Sequence, residues 1–181
     1  MKHLTMEELE AGIDEICRSP KDDGVLELIV RRPHMSAREV LQDGELDPVY
    51  GLVGDNWKAR GGLHPDTQLN VMNSRVAALV AQDRSRWPLA GDQLFIDLDL
   101  SEANLPPGTR LAIGSAVIEV TAEPHTGCGK FVARFGVDAM RFVNSSARSA
   151  LHLRGINCRV VLSGAIRVGD VVRKRLRASP A

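Results

Sequence analysis

Short apolar runs separated by turn residues dominate the sequence and limit the folds open to it. Leu94-Phe-Ile-Asp-Leu98 is followed by the turn Leu105-Pro-Pro-Gly-Thr109 and the run Arg110-Leu-Ala-Ile113. A Gly114-Ser115 turn then leads into Ala116-Val-Ile-Glu-Val-Thr121. Runs this short with a tight turn between them read as hairpin strands. The pattern returns at Ile156–Leu162, the turn Ser163-Gly164, and Ala165–Leu176, broken at Gly169-Asp170. With Val25–Val30 and Gln68–Met72 added, there are many short strands and no regular β-α alternation. That combination predicts a mainly β chain, a barrel or sandwich carrying helices at its periphery (α+β). Aromatic residues make up only 4% of the chain, so its core must be built from Val, Leu, Ile and Ala.

Helices are expected at three places. Thr5 and Glu8 have capping-box spacing, and Met6, Leu9, Ile13 and Ile16 recur at helical intervals, so one helix is predicted up to Ser19-Pro20. Asn73 or Ser74 caps a short helix over 75–83, and 130–153 reads as helical segments. Ala37–Gln42 fits either a short strand or one helical turn. Gly44–Pro65, rich in Gly, Asp and Pro, reads as a long loop of the kind that carries function. A length of 181 residues supports one domain.

Charge narrows the partners. Lys plus Arg number 23 and Asp plus Glu 23, so no global field draws the chain to nucleic acid or an anionic membrane. Neither is expected as a partner. The basic end, Arg173-Lys174-Arg175 and Arg177, reads as a strand and solvated tail. Three cysteines, Cys17, Cys128 and Cys158, show no disulfide spacing, and no apolar run is long enough for a signal or membrane segment. A reducing cytoplasm is the expected compartment.

Chemistry concentrates in Glu123-Pro-His-Thr-Gly-Cys-Gly-Lys130. Gly127 and Gly129 free the Cys128 sulfur from side-chain bulk, and His125 and Lys130 are near enough in sequence to stabilise a thiolate. Cys17 and Cys158 read as core residues. Phosphate-loop and dinucleotide patterns fail around Gly127-x-Gly129-Lys130, because Pro124, Phe131 and Val132 stand where the motifs need Gly, Ser or Thr, and Gly. A zinc site from His125, Cys128, His152 and Cys158 lacks any CxxC pair. A second cluster, Arg60, His64 and Gln68, offers anion and amide ligands on the Gly-rich segment after Gly51, where Asp55 reads as a turn residue.

Taken in order, several blocks resemble a MOSC domain, the module found at the C-terminus of molybdenum cofactor sulfurases and in stand-alone bacterial proteins. They are Gly51-Leu-Val-Gly-Asp55, Gly91-Asp92-Gln-Leu-Phe-Ile96, Leu105–Gly114 through Ile118-Glu-Val-Thr121, Cys128, and Leu153–Asp170. The resemblance covers about 45–173, leaving 1–44 as an N-terminal helix and strand packed on the domain and 174–181 as a basic tail. It implies a β-barrel-like fold and molybdenum-cofactor or sulfur chemistry centred on Cys128, which would ligate molybdenum or carry sulfur. A thiolate is a soft ligand and a nucleophile, so either role suits it. Arg60, His64 and Gln68, with His125 and Lys130, would then line a pocket for the anionic molybdopterin.

The resemblance is to the stand-alone type, so no pyridoxal-phosphate domain is expected, and the expected partners are a small-molecule cofactor or substrate and a sulfur donor or electron-transfer protein. Sulfur transfer to a metal centre and reduction of N-hydroxylated substrates are both open. The alternatives are a non-catalytic module binding a small anion or partner, and a zinc-dependent hydrolase.

Overall fold

Seven strands close into a barrel in the computed structural model, which describes residues 2–60 and 64–175. In chain order the strands are β1 (Gly24–Arg31), β2 (Glu39–Leu41), β3 (Asp43–Asp47), β4 (Gly51–Leu52), β5 (Leu69–Asn73), β6 (Leu94–Asp97), β7 (Arg110–Ile113), β8 (Ala116–Val120), β9 (Ile156–Leu162), β10 (Gly164–Arg167) and β11 (Val171–Arg175). The ring runs β11-β7-β8-β9-β5-β6-β1 and is closed by Gly24 opposite Val172 and Val25 opposite Val171. β2 pairs with the other end of β1, and β10, β3 and β4 form a separate small sheet. The expected mainly β barrel with peripheral helices is the architecture observed.

Strand parity sorts the apolar side chains into two cores. Leu69 and Val71 of β5 and Leu94 and Ile96 of β6 join the cluster that fills the barrel. Met72 and Phe95, on the opposite faces of those strands, join a second cluster outside it. β1 feeds both through a register shift between Leu26 and Leu28, so that Leu26 and Ile29 face one core and Leu28 and Val30 the other. The outer core is covered by α1 (Met6–Glu10), α2 (Ile13–Cys17), α3 (Ser74–Ala81), α4 (Gly129–Phe135) and α5 (Val137–Val143). Among the described residues no helix is long and apolar enough to cross a membrane.

Two local expectations need correction. The single N-terminal helix is two, broken at Ala11-Gly12, although its capping box between Thr5 and Glu8 is formed. Gly12 lies so close to α3 that a Cβ there would stand 2.6 Å from the Leu79 side chain. The expected loop 44–65 contains strands, because Glu45 pairs with Ala165 and Leu46 with Leu52. The basic tail expected at 174–181 lies outside the described residues from 176 onward.

Gly155 sets how closely β9 approaches β5. Its φ is +104°, and a Cβ would fall 2.2 Å from the Val71 carbonyl oxygen. A side chain there is therefore opposed by both conformation and backbone. Gly155→Ala should cost about 2 kcal/mol of stability in urea unfolding. An unchanged midpoint would show that the two strands have slack between them.

Candidate functional site

After β8 the chain crosses one end of the barrel as an extended segment, and two asparagines hold that segment in place. Asn157 Nδ2 donates to the carbonyls of Glu123 and Pro124 at 3.1 and 3.2 Å, while its Oδ1 accepts from Asn70. Asn144 Oδ1 accepts from the Gly127 N–H at 2.8 Å, and its Nδ2 donates to the Gly127 carbonyl at 3.1 Å. Cys128 follows as the exposed N-cap residue of α4. Its flanking glycines differ in role. A Cβ on Gly127 would press on Val143 and Asn144 at 3.4 Å, whereas one on Gly129 would meet nothing within 4 Å. The clamp uses only the Gly127 backbone, and Gly129 leaves open space after Cys128.

Partial burial acts to raise the Cys128 pKa, but it is outweighed. The backbone N–H groups of Lys130 and Phe131, then the Arg154 and Lys130 cations, hold the thiol below its ordinary value. Arg154 is the partner that sequence reading missed. It is buried at the start of β9, with Nη1 donating to both oxygens of Asp92 at 2.9 and 2.8 Å and Nη2 donating to the Ala90 carbonyl. Its guanidinium also lies 5.1 Å from the centroid of the Phe131 ring, in the first turn of α4.

His125 does not supply the cation expected of it. Burial first, and then Arg154, push its pKa down to about 4, against a smaller opposing pull from Asp92, whose carboxylate is 3.5 Å away. The ring is neutral at neutral pH, and Nδ1 is buried without a hydrogen-bond partner.

On the neighbouring face, basic side chains gather. Arg32 is buried and fully engaged: it donates to Asp55 through Nε and Nη2, and through Nη1 to Asn70 and the Gly91 carbonyl. Asp55 is therefore the buried counter-charge of Arg32 and more than the turn residue expected. Arg38 and Arg60 crowd against this pair. Burial lowers both their pKa values, with Arg134, Arg32 and Arg60 adding to the effect at Arg38, and Arg32 at Arg60. Arg38 Nε is buried without a partner. Arg38, Arg60 and Lys130 form no carboxylate ion pair among the described residues.

The other expected residues fall elsewhere. His64 is exposed, with Nε2 3.6 Å from a Glu123 carboxylate oxygen. Gln68 is buried, and both ends of its amide are taken up: Nε2 donates to the Pro48 carbonyl and Oε1 accepts from the Val160 N–H. Its amide thus ties β5 to Pro48 and to β9. The four-residue zinc set is not assembled, since no group of three or more His, Cys, Asp or Glu suited to a metal exists among the described residues. Cys158 is fully buried in β9, and burial pushes its thiol far up, as its core reading requires, whereas Cys17, also read as a core residue, is exposed at the end of α2.

His125 gives a prediction with a definite sign. Its folded pKa of about 4 lies below the ordinary 6.5, so the unfolded chain takes up the proton more readily. The stability gained by keeping the ring neutral is complete above pH 6.5 and is lost as pH falls toward 4. Denaturant midpoints measured across that window should fall less steeply for His125→Gln than for the parent. Equal slopes would show that His125 is not held neutral by its surroundings.

Comparison with known proteins adds the family. The MOSC domain model matches residues 58–173, more than half of the chain. A search of the curated proteins finds no match. Among solved structures, the YuaD protein from Bacillus subtilis is similar with a TM-score of 0.58 at 17% identity, covering 83% of this chain and 94% of that one. YiiM from Geobacillus stearothermophilus is similar with a TM-score of 0.59 at 15% identity, covering 87% and 78%. YiiM from Escherichia coli gives 0.54 at 18% identity, covering 87% and 72%. At these identities the structures establish the shared fold, and with the family match over the barrel and its cysteine loop, the chain belongs to the MOSC domain family.

Proposed function

We propose that Cys128 acts as a thiolate toward an anionic molybdenum–pterin cofactor, as a soft ligand to the metal or as the carrier of a sulfur atom destined for it. The observation that carries this reading is the pairing of an exposed, acidified thiol with a neighbouring face of arginines that lack carboxylate partners. An isolated crowd of guanidinium groups is unfavourable, and an anion placed among them relieves it. The residues present fit such a group: the unpartnered Arg38 Nε is a spare donor, and Arg60 and Lys130 are cations without a bound counter-charge. A cofactor of this class supplies two-electron redox chemistry at its metal when bound.

The chain's own contributions are separable. Arg38 and Arg60 would hold the anionic part of the ligand, and Arg134, whose Nη1 lies near the same Gly91 position as Arg38, would bound it. The backbone N–H groups of Lys130 and Phe131, then the Arg154 and Lys130 cations, favour the thiolate of Cys128. The Asn144 and Asn157 clamps keep that sulfur in a fixed place. Neutral His125 adds no charge and fills the space behind the loop. The same thiolate is nucleophilic toward sulfane sulfur, so a sulfur-donor or electron-transfer protein is the natural macromolecular partner.

Expression in a host that makes the cofactor, followed by metal and pterin assay, tests the reading. The parent should co-purify molybdenum and pterin, Cys128→Ser should lose the metal, and Arg38→Met with Arg60→Met should lose the pterin. Equal molybdenum in the parent and Cys128→Ser would remove the thiolate from the proposal.

A further inference from the structure

A cavity of about 330 Å³ lies against the segment that leads to Cys128, and neither Cys128, Arg38, Arg60 nor Lys130 lines it. Its size falls in the range of small-molecule sites, about 300–1,000 Å³. Val120, Val143, Leu153 and Ile156, all buried, line it with apolar surface. The amides of Asn144 and Asn157, also in the lining, are spent on holding the loop. Arg154 donates through Nη1 to Asp92 and through Nη2 to the Ala90 carbonyl, and its unpartnered Nε is closed to solvent.

His125 is the lining residue with capacity to spare. Its ring is neutral at neutral pH, so it carries one proton and one lone pair. Nδ1 is buried 3.5 Å from an Asp92 carboxylate oxygen, which can only accept, so the proton is drawn to Nδ1. The lone pair is then left on Nε2. The side chain keeps 12% of its surface exposed, and Nε2, with no hydrogen-bond partner among the described residues, remains open to solvent. His152, in the same lining, has its Nδ1 on the Leu100 carbonyl at 2.9 Å. A carboxylate behind the ring makes His125 the stronger acceptor of the two.

We infer that this cavity is a separate binding site for a small uncharged molecule, an apolar ring bearing a hydroxyl or N–H group that donates to His125 Nε2. The ring packs on Val120, Val143, Leu153 and Ile156, and Asp92 holds the imidazole in the accepting tautomer. Ions of either sign are disfavoured. The buried charges of Asp92 and Arg154 offset each other, so an anion would give up its hydration for little return. The lining carboxylates Glu102 and Glu123 are solvent-exposed, where pairing with a cation contributes little. The inference does not rest on the proposed role of Cys128, since it uses none of the residues that would hold the anionic cofactor.

The test uses phenol, anisole and benzoate on the full chain at neutral pH, read by amide and imidazole ¹⁵N resonances. Without a probe, His125 should show a protonated Nδ1 and a bare Nε2. Phenol should give saturable shifts centred on 120–126 and 153–157 and move the His125 Nε2 resonance upfield. It should bind about five-fold more tightly than anisole, the worth of one neutral hydrogen bond, with benzoate weakest. Anisole should leave the Nε2 resonance in place. His125→Leu should bring phenol down to the level of anisole, whereas His125→Gln, whose side-chain oxygen can accept, should keep part of the preference. A proton on Nε2 in the free protein, an upfield shift at His152 in place of His125, benzoate binding as tightly as phenol, or no saturable binding would each overturn the inference.

Discussion

The buried ion pair between Asp92 and Arg154 holds the functional end of the barrel together. The two side chains are 0% and 8% exposed, so neither charge has water to fall back on. Such a pair adds little to stability when intact, yet removing one partner strands the other at a cost of about 3–5 kcal/mol. Its geometry ties the start of β9 to the turn before β6, through both Asp92 oxygens and the Ala90 carbonyl. From that fixed position Arg154 touches the Phe131 ring, adds to the burial that keeps His125 neutral and helps lower the Cys128 pKa. The Arg154 charge, placed by the barrel, thus adds to the lowering of the Cys128 pKa that the backbone N–H groups of Lys130 and Phe131 begin.

A second pair, Arg32 with Asp55, repeats the arrangement at the next turn of the barrel end. In both cases the aspartate follows a glycine, Gly54 or Gly91, whose φ is positive. The glycine allows the sharp turn, and the turn delivers the carboxylate inward to a buried arginine. Beside the Arg32–Asp55 pair, Arg38 and Arg60 form no carboxylate ion pair among the described residues. Their crowding is the feature on which the proposal of an anionic ligand rests.

Features fixed by neighbours in the chain were legible from the sequence. The β7–β8 hairpin, the Thr5 capping box and the Asn73 cap rest on contacts a few residues long, and local turn and capping rules describe them. The exposed cysteine between glycines was equally visible. What escaped reading depends on distant partners. β3 finds β10 more than a hundred residues away, so its polar, Gly-rich segment looked like a loop. Arg154 reaches Cys128 only after β9 is laid beside β5. His125 looked like a cation because the sequence shows its proximity to Cys128 but not its burial. Gln68 looked like a ligand for the same reason: nothing local reveals that Val160 and Pro48 consume its amide.

The fold lowers the Cys128 pKa by placing backbone N–H groups and two cations around its sulfur. Direct titration of thiolate absorbance, taken as the difference between the parent and Cys128→Ser, tests it without any ligand. The expected midpoint lies below that of an unstructured cysteine peptide titrated under the same conditions, and shifts upward in Lys130→Ala. A midpoint at or above that of the peptide, unmoved by Lys130→Ala, would contradict it.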